Sequence, residues 1–331
     1  MPDFVVCGAT SWGVTLASVL SLNHERVVLV TRHAAEADAV RDRRGIERLP
    51  EVSLDARVSV VAKPPAPGTV KGVLLAVPAQ SLRAAASRFA GHNQVPVLSA
   101  AKGIELTTGL RMSEILAETW PMGLIAALSG PNLAHEVARG LPAAAVVAST
   151  GAETALLWQQ ALATPAFRLY TSNDVIGVEL AGALKNVVAI AAGAAVGLNL
   201  GANAVAAIVT RGLAEITRLG LVLGADRATF SGLAGVGDLT VTCFSPLSRN
   251  HRLGELLAAG IDPASALKQI GEAVEGAATA GVAVQLAHRV GVEMPIAREV
   301  AAVLAGERRV AEAMSLLLTR PLGPESQPPG R

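Results

Sequence analysis

Residues 4–17 read FVVCGATSWGVTLA, and this stretch decides the fold. A short apolar run, Phe4 to Cys7, ends at a glycine, and apolar residues at helical spacing follow from Ser11 onward. An apolar strand that leads through a glycine-containing turn into a helix is typical of an α/β sheet. The rest of the first half of the chain extends the same pattern.

Apolar runs and helical stretches alternate through this first half. Further candidate strands lie at residues 27–30, 58–61, 73–77, 95–98, 124–128, 143–148 and 167–170. Pro96 counts against one of them, because proline cannot donate to a strand ladder. Runs without polar alternation, separated by helices, indicate a parallel sheet covered on both faces. The pattern therefore predicts a doubly wound parallel sheet.

The second half of the chain is predicted to be helical. Strand signals end after Tyr170, and helical stretches follow at residues 175–196, 204–219, 252–259, 277–289 and 296–304. Ser172-Asn173-Asp174 resembles a helix N-cap, so we place a domain boundary there. We expect a sheet domain over residues 1–173, an all-α domain over 174–322, and a disordered tail over 323–331.

Composition excludes several classes of protein. Hydrophobic residues make up 51% of the 331 residues and charged residues 17%, which excludes an intrinsically disordered chain. The 28 Lys and Arg balance the 27 Asp and Glu, so no basic field indicates nucleic-acid binding. Cys7 and Cys243 form no disulfide framework, and neither they nor the histidines show metal spacing. We therefore expect a reduced, cytoplasmic protein without metal.

The stretch between Lys185 and Arg211 carries no charge and is a candidate membrane span. Residues 199–203 interrupt it with amides and a glycine, which are unfavourable in lipid and natural at a corner between helices. The N-terminus lacks the basic start, apolar run and cleavage site of a signal peptide. We expect a buried helix pair and no membrane contact.

The turn Gly8-Ala-Thr-Ser-Trp-Gly13 has the position of a dinucleotide-binding loop. In such a loop the first glycine makes the turn, the second lets the pyrophosphate approach, and the third packs the helix on the strand. The helix N-terminus then binds the phosphates. Thr10 stands in the second position, where a Cβ should push the pyrophosphate away or shift the loop. A strand-turn-helix without a ligand is the alternative.

The second strand ends in Val30-Thr31-Arg32-His33. An NAD-selective site usually carries Asp or Glu at this position to hold the ribose 2′-hydroxyl. Arg32 suits a 2′-phosphate instead, because of its charge and its planar fork of donors. A solvated surface arginine is the alternative. If the loop binds a dinucleotide, NADPH is favoured over NADH.

Lys185 lies in GVELAGALKNVVAI, residues 177–190, a helix that is apolar nearly all round. A buried amine without a partner is costly, and an amine in such surroundings can take or give a proton, as alcohol oxidation requires. The alternative is a lysine near a helix end that extends to water.

Three further segments place polar residues among small or apolar ones. Lys102 follows a candidate strand end, where open sheets bind ligands, and Ser129-Gly-Pro-Asn132 follows another. Asp238 lies in a glycine turn, and Ser248-Arg249-Asn250 caps a helix, where a guanidinium and backbone N–H groups can bind phosphate. Singly, each is a loop, a turn or a cap. Jointly, they indicate a phosphorylated small substrate beside a lysine.

Several segments together match one known family. They are GATSWGVTLA at 8–17, AVP at 76–78, AKGIE at 101–105, SGPNLAHEV at 129–137, IGVELAGALKNV at 176–187, AN at 202–203, TRGLAE at 210–215, GVGDL at 235–239, SRN at 248–250 and VGVEMPI at 290–296. On these residues nearly the whole chain resembles the bacterial NAD(P)-dependent glycerol-3-phosphate dehydrogenases. The lysine helix and the Ser-Arg-Asn cap are specific to that family, and the glycine loop is not.

The resemblance implies a fold and a reaction. The fold is an α/β, Rossmann-like doubly wound parallel sheet followed by an all-α, phosphogluconate-dehydrogenase-like C-terminal domain. The reaction is hydride transfer between C2 of glycerol 3-phosphate and a nicotinamide, which interconverts glycerol 3-phosphate and dihydroxyacetone phosphate. The implied cofactor is NADP (NADPH), with NAD as the alternative, and the product would feed phospholipid synthesis.

The resemblance also implies roles for individual residues. As catalytic residues it implies Lys185, the proton acceptor, Lys102, which touches cofactor and substrate, and Asp238, which orients Lys185. The implied substrate-binding residues are Lys102, Gly130, Asn132, Lys185, Asp238, Ser248, Arg249 and Asn250. The implied cofactor-binding residues are Gly8, Ser11, Trp12, Gly13, Arg32, His33, Lys102, Ala134, Arg249 and Glu275. Asn132 stands where the family often has Ser or Thr.

Two other functions stay open on the sequence. One is a related two-domain NADP-dependent reductase of another small carbonyl substrate, although Ser248-Arg249-Asn250 and the Lys102 loop argue against it. The other is a non-catalytic dinucleotide-binding protein, which Thr10 would suit. An Ala-rich helical domain with few charges is also compatible with a homodimer interface.

Overall fold

The computed structural model describes residues 3–121, 123–321 and Glu325. Contacts divide the chain into two compact units. The first unit is Met1–Lys102 with Arg111–Val175, and the second is Gly103–Leu110 with Ile176–Arg331. The chain thus enters the second unit briefly after Lys102 and returns to the first at Arg111.

The predicted division into residues 1–173 and 174–322 stays a prediction of domain organisation. The contacts divide the chain after Val175 and group the segment Gly103–Leu110 with the second unit. The predicted disordered tail, 323–331, lies outside the described residues apart from Glu325. The backbone carbonyl of Glu325 accepts a hydrogen bond from Arg211 (2.8 Å).

A sheet of eight strands forms the centre of the first unit. The strands are β1 (Phe4–Cys7), β2 (Val27–Val30), β3 (Val58–Val61), β4 (Gly72–Leu75), β5 (Val97–Ser99), β6 (Ile125–Ser129), β7 (Ala143–Ala148) and β8 (Phe167–Ser172). Their spatial order is β3-β2-β1-β4-β5-β6-β7-β8. The order 3-2-1-4-5-6 is that of doubly wound dinucleotide-binding sheets, so the predicted fold class is confirmed.

Helices cover this sheet because its strands are apolar on both faces. They are α1 (Ser11–Asn23), α2 (Ala34–Arg43), α3 (Leu82–Ser87), α4 (Met112–Ala117), α5 (Ala134–Ala138) and α6 (Ala152–Leu162). Every residue of β1, β2, β4, β5 and β6 is buried. Trp158 of α6 is fully buried and contacts the ring of Phe4, with 5.3 Å between ring centroids. Burial on both faces explains why these strands read as uninterrupted apolar runs.

Strand β7 departs from the all-parallel sheet that the sequence predicts. It runs antiparallel to β6, with Leu128 opposite Val147, and β8 then runs parallel to β7. The connection between β6 and β7 holds a single five-residue helix, α5. This short connection lets β7 pair with β6 in the opposite direction, whereas a parallel strand would require a longer crossover connection.

The second unit is helical, as predicted. Its helices are α7 (Val175–Gly197), α8 (Gly201–Val222), α9 (Arg227–Ser231), α10 (Asp238–Phe244), α11 (Arg249–Ala258), α12 (Pro263–Ile270), α13 (Glu275–Arg289), α14 (Pro295–Leu304) and α15 (Val310–Leu318). A π-helical turn, Leu233–Gly237, leads into α10. The sequence predicts α7, α8, α11, α13 and α14, whereas the shorter α9, α10, α12 and α15 are not predicted from it.

Small residues let the backbones of these helices approach closely. A Cβ added at Gly193 of α7 would lie 1.9 Å from the carbonyl oxygen of His251 on α11. A Cβ added at Gly254 of α11 would lie 2.0 Å from the carbonyl oxygen of Ile190. This chain has only five Phe, three Trp and one Tyr. Close backbone contact therefore replaces large side chains in much of this core.

Helix α7 supplies many of the buried residues of the second unit. Within the described residues it is the one helix long and apolar enough, by length and composition, to cross a membrane. The most apolar 18-residue window of α7 is 94% buried inside the protein. The apolar side chains of α7 thus pack in the core of the second unit, and a buried helix is what we expect from the sequence.

A carboxylate from α8 caps the start of α14. Glu215 is 4% exposed, and it accepts hydrogen bonds from the backbone N–H groups of Ile296 (2.8 Å) and Ala297 (3.4 Å). These N–H groups lie in the first turn of α14 and have no acceptor within the helix. Burial raises the pKa of Glu215 to about 7, although the two N–H groups and the nearby Arg218 and Arg320 act in the opposite direction.

This raised pKa predicts a pH dependence of stability that Glu215→Gln should remove. Above the ordinary pKa of about 4.5 the unfolded chain loses this proton while the folded chain keeps it. The free energy of unfolding therefore falls as pH rises, until the folded carboxyl ionises near pH 7. Because each pKa unit is worth about 1.4 kcal/mol, the variant should gain roughly 3 kcal/mol relative to the wild type between pH 4.5 and 7.

Urea unfolding of both proteins at several pH values measures this difference. Subtracting one stability curve from the other cancels the titration of the groups that the two proteins share. A constant difference between pH 4.5 and 8 would contradict the prediction.

Candidate active site

The glycine loop of the first unit packs β1, α1 and β4 tightly together. Gly8 has a φ of +113°, and an added Cβ there would lie 2.6 Å from the carbonyl oxygen of Ala76. An added Cβ at Gly13 would lie 1.9 Å from the carbonyl oxygen of Gly8. Only glycine fits either position, so the turn and the close helix–strand contact expected of the first and third glycines are both present.

Thr10 forms the N-cap of α1. Its hydroxyl accepts a hydrogen bond from the N–H of Gly13 (3.0 Å) and donates one to the carbonyl of Ala76 (2.8 Å). The Thr10 side chain therefore forms hydrogen bonds inside the loop, a role not expected from the sequence. Among the described residues, the N–H groups of Ser11 and Trp12 have no hydrogen-bond partner. Two unpaired donors at the start of a 13-residue helix fit a pyrophosphate.

Arg32 and His33 form the turn between β2 and α2. His33 caps α2, because its Nδ1 accepts from the N–H of Glu36 (3.2 Å), and the Glu36 carboxylate accepts from the N–H of Arg32 (2.8 Å). Both Arg32 and His33 are exposed. Within the described part of the chain the Arg32 guanidinium makes no hydrogen bond or ion pair. This turn therefore presents an exposed guanidinium, and its contact with a cofactor stays a prediction.

Lys102 lies beside the turn that follows β6. Its Nζ donates to the carbonyl oxygen of Gly130 (3.0 Å). The Asn132 amide donates to the carbonyl of Ala144 (3.0 Å), and this contact leaves its buried Oδ1 without a partner among the described residues. A buried acceptor without a donor fits a ligand hydroxyl or amide. Ala134 follows at the start of α5.

A buried ion pair joins α7 to α10. Lys185 Nζ donates to the carboxylate of Asp238 and to the hydroxyl of Thr242 (2.7 Å), and that hydroxyl donates to the carbonyl of Asp238 (2.7 Å). The Lys185 and Asp238 side chains are 8% and 1% exposed. The amine is therefore not the unpartnered group that the sequence analysis considers, because its charge is compensated and its position fixed.

Cys243 lies next to Thr242 and is fully buried. Burial raises the pKa of its thiol to about 12, although the nearby Lys185 acts in the opposite direction. The thiol therefore stays protonated at neutral pH and is a poor nucleophile. Lys185 and Asp238 are left as the ionisable groups of this cluster.

The start of α11 is a second candidate anion site. Ser248 caps the helix through its hydroxyl, which accepts from the N–H of His251 (3.3 Å). The N–H groups of Arg249 and Asn250 have no partner among the described residues. The Arg249 guanidinium is partly exposed and lies 3.4 Å from the carboxylate of Glu272. Two unpaired N–H groups and a guanidinium fit a phosphate monoester.

The Asn250 side chain is engaged within the protein. Its amide donates to Asn186 Oδ1 (2.9 Å), and its Oδ1 accepts from the N–H of Gly276 (2.9 Å). Asn250 is 8% exposed. The network links the residue after Lys185 on α7 to the start of α13, where Glu275 lies. Of the predicted substrate-binding triplet, Asn250 and Ser248 therefore use their side chains internally, and the Arg249 side chain extends outward.

Thr242, Asn186 and Gly276 are not among the site residues predicted from the sequence. Thr242 follows Asp238 by four residues, a spacing that places both on one helix face and could have indicated it. Asn186 directly follows Lys185 in the same apolar helix. No sequence signal marks Gly276, because its requirement is a contact between α13 and α7.

The chain matches two family models over most of its length. Residues 3–155 match the N-terminal part of NAD-dependent glycerol-3-phosphate dehydrogenase, and residues 174–315 match its C-terminal part. A glycerol-3-phosphate dehydrogenase [NAD(P)+] from Nitrosococcus oceani is 44% identical, with 97% of this chain and 95% of the relative covered. One from Corynebacterium urealyticum is also 44% identical, with 98% and 100% covered.

A solved structure shows the same fold. The glycerol-3-phosphate dehydrogenase in the crystal structure from Coxiella burnetii is 33% identical in sequence and superposes with a TM-score of 0.89. The match covers 96% of this chain and 99% of that chain. The similarity thus spans both units and is not limited to the sheet that many dinucleotide-binding proteins share. The chain belongs to the family of NAD-dependent glycerol-3-phosphate dehydrogenases.

Proposed function

We propose that this protein is a glycerol-3-phosphate dehydrogenase [NAD(P)+] that interconverts sn-glycerol 3-phosphate and dihydroxyacetone phosphate. The observation that carries the proposal is the buried cluster of Lys185, Asp238 and Thr242 in a chain of this family. Its product, glycerol 3-phosphate, is the backbone of glycerophospholipids, so we assign the enzyme to lipid synthesis.

Lys185 is the proposed proton donor and acceptor. Oxidation of a secondary alcohol removes a hydride from carbon and a proton from the hydroxyl, and reduction returns both. The nicotinamide, when bound, exchanges the hydride with C2 of the substrate. Lys185 Nζ exchanges the proton with the oxygen on that carbon. Asp238 and Thr242 hold Nζ in place, and the Asp238 carboxylate compensates its charge in apolar surroundings.

The start of α11 is the proposed site for the substrate phosphate. A phosphate monoester carries close to two negative charges at neutral pH, and the helix N-terminus, two unpaired N–H groups and the Arg249 guanidinium all complement them. The internal hydrogen bonds of Asn250 and Ser248 support a role in positioning this turn. Lys102, Gly130 and Asn132 are the further substrate contacts that we propose.

The first unit is the proposed site of the dinucleotide. The unpaired N–H groups of Ser11 and Trp12 would hold the pyrophosphate, and Arg32 with His33 would hold a 2′-phosphate, which favours NADPH over NADH. Gly8 and Gly13 shape the loop. Further proposed cofactor contacts are Lys102, Ala134, Arg249 and Glu275.

We also propose the wider setting of the enzyme. Residues 1–173 are the proposed dinucleotide-binding domain and residues 174–322 the substrate domain. The proposed location is the cytoplasm. A homodimer is the proposed assembly, since residues 186–210 of the second unit carry no charged side chain.

The direct test is reduction of dihydroxyacetone phosphate by the purified full-length protein, followed as loss of nicotinamide absorbance. Rates with NADPH and NADH are compared side by side, and a panel of other small carbonyl acids is run in parallel. We expect turnover with dihydroxyacetone phosphate and a higher kcat/KM with NADPH. Faster turnover of another carbonyl substrate, or cofactor binding without any turnover, would refute the proposal.

Lys185→Met should abolish turnover and also weaken the fold. Loss of the proton donor should lower kcat about a thousandfold. Because Asp238 then stays buried without its partner, the variant should lose roughly 3 kcal/mol or more of stability. The double variant Lys185→Met with Asp238→Asn removes that uncompensated charge. It should regain much of the stability and stay inactive.

Kinetics and thermal unfolding of these variants separate catalysis from folding. Lys268→Met, at an exposed lysine of α12, is the matched control and should behave as the wild type. Recovery of turnover in the double variant would rule out Lys185 as the proton donor.

Gly276→Ala should impair catalysis while Gly281→Ala on the same helix should not. A Cβ at Gly276 would lie 2.5 Å from the carbonyl oxygen of Asn186 and 2.7 Å from Asn250 Oδ1, whereas a Cβ at Gly281 meets nothing within 4 Å. Displacing Asn186 moves its neighbour Lys185, so kcat/KM should fall at least tenfold.

Gly281→Ala should keep its activity and gain up to about 1 kcal/mol, because alanine favours helix. Steady-state kinetics and urea unfolding measure both effects. Equal kinetics in the two variants would contradict the proposed role of the Asn186–Asn250–Gly276 network.

A further inference from the structure

Arg88 connects the ends of two strands in the first unit. It directly follows α3, and its Nη2 donates to the backbone carbonyls of Thr31 (2.9 Å) and Ala62 (2.7 Å). Thr31 directly follows β2, and Ala62 directly follows β3. Both carbonyls lie at the carboxyl edge of the sheet, where doubly wound folds bind their ligands.

The hydrogen bond from Arg88 to Thr31 also affects the backbone of Arg32 and His33, which we assign to the cofactor site. The carbonyl of Thr31 belongs to the peptide group whose nitrogen is that of Arg32. Thr31 is fully buried, and its hydroxyl donates to the carbonyl of His33 (3.0 Å). Arg88 on one side and Glu36 on the other therefore hold the backbone from which the Arg32 and His33 side chains extend.

Arg88 also adds positive charge at this turn. Its Nη1 and Nε have no hydrogen-bond partner among the described residues, and the residue is exposed. The Arg88 guanidinium and the Glu36 carboxylate thus bind the two sides of one peptide group, and the exposed side chain of Arg32 extends from the same group. Uncommitted guanidinium donors beside a second cation favour a phosphate over a neutral hydroxyl.

We propose that Arg88 is a specificity-determining residue for the cofactor. It positions Arg32 and supplies a second positive charge, so that an adenosine carrying a 2′-phosphate binds more tightly than one with a free 2′-hydroxyl. The inference rests on the proposed function, in which the first unit binds NAD(P).

The test measures binding rather than turnover. Adenosine 2′,5′-bisphosphate and adenosine 5′-monophosphate are titrated by calorimetry into the full-length wild type, Arg88→Met and Arg88→Lys. Arg83→Met is the matched control, because Arg83 lies on α3, pairs with Glu118, and its loss changes the net charge equally.

Arg88→Met should weaken binding of the bisphosphate about tenfold, the worth of one charge-assisted hydrogen bond, and change binding of the monophosphate less than about twofold. Arg88→Lys keeps the charge without the planar fork and should lie between Arg88→Met and the wild type. Arg83→Met should bind both nucleotides as the wild type does. Thermal unfolding checks each variant, and if Arg88→Met does not fold, Arg88→Lys decides by the same comparison.

If Arg88→Met weakened the binding of both nucleotides equally, Arg88 would only connect the ends of β2 and β3, and the inference would be overturned. Unchanged binding of the bisphosphate would overturn it as well. Either result leaves the proposed dehydrogenase intact, since dihydroxyacetone phosphate reduction is measured separately. A wild type that binds both nucleotides equally would instead refute the proposed NADPH preference, and the role of Arg88 with it.

Discussion

The second unit is organised around one buried ion pair. Lys185 and Asp238 are almost fully enclosed, and removing two charges from water is expensive unless their geometry is well satisfied. A hydrophobic pair would fill the same space at lower cost, so the pair is weak as a source of stability. It does fix α10 against α7 and hold an amine at a defined point, which is what a proton donor requires.

Small residues make this arrangement possible. Gly193 and Gly254 bring the backbones of α7 and α11 into contact, and Gly276 brings the start of α13 against the residue after Lys185. The start of α11 is therefore set by backbone contacts with the same helix that carries the amine. In our proposal, the phosphate site and the proton donor keep their spacing because backbone contacts fix α11 against α7, while Asp238 and Thr242 hold Lys185 Nζ in place.

The sequence predicts the features that local physics decides. Strands buried on both faces appear as apolar runs, and Pro96 lies just before β5, so it does not interrupt the ladder. The direction of β7 depends on how the short α5 connection packs, and α9 and α12 are too short for a clear period. Lys185 and Asp238 stand out in their segments, whereas Gly276 is marked only by a tertiary contact.

Polar residues at helix starts illustrate a limit of motif reading. Thr10, Ser248 and Asn250 all lie in segments that suggest ligand binding, yet each uses its side chain within the protein. The hydrogen bonds of Thr10 and Ser248 fix the first turn of a helix, and the backbone N–H groups of the two residues after each of them have no partner among the described residues. The same helix start can therefore be both an N-cap and an anion site, because the side chain orders the turn and the backbone N–H groups bind the ligand. On this view, the Thr10 side chain at the second glycine position orders the loop, and the unpaired N–H groups of Ser11 and Trp12 stay available to a phosphate.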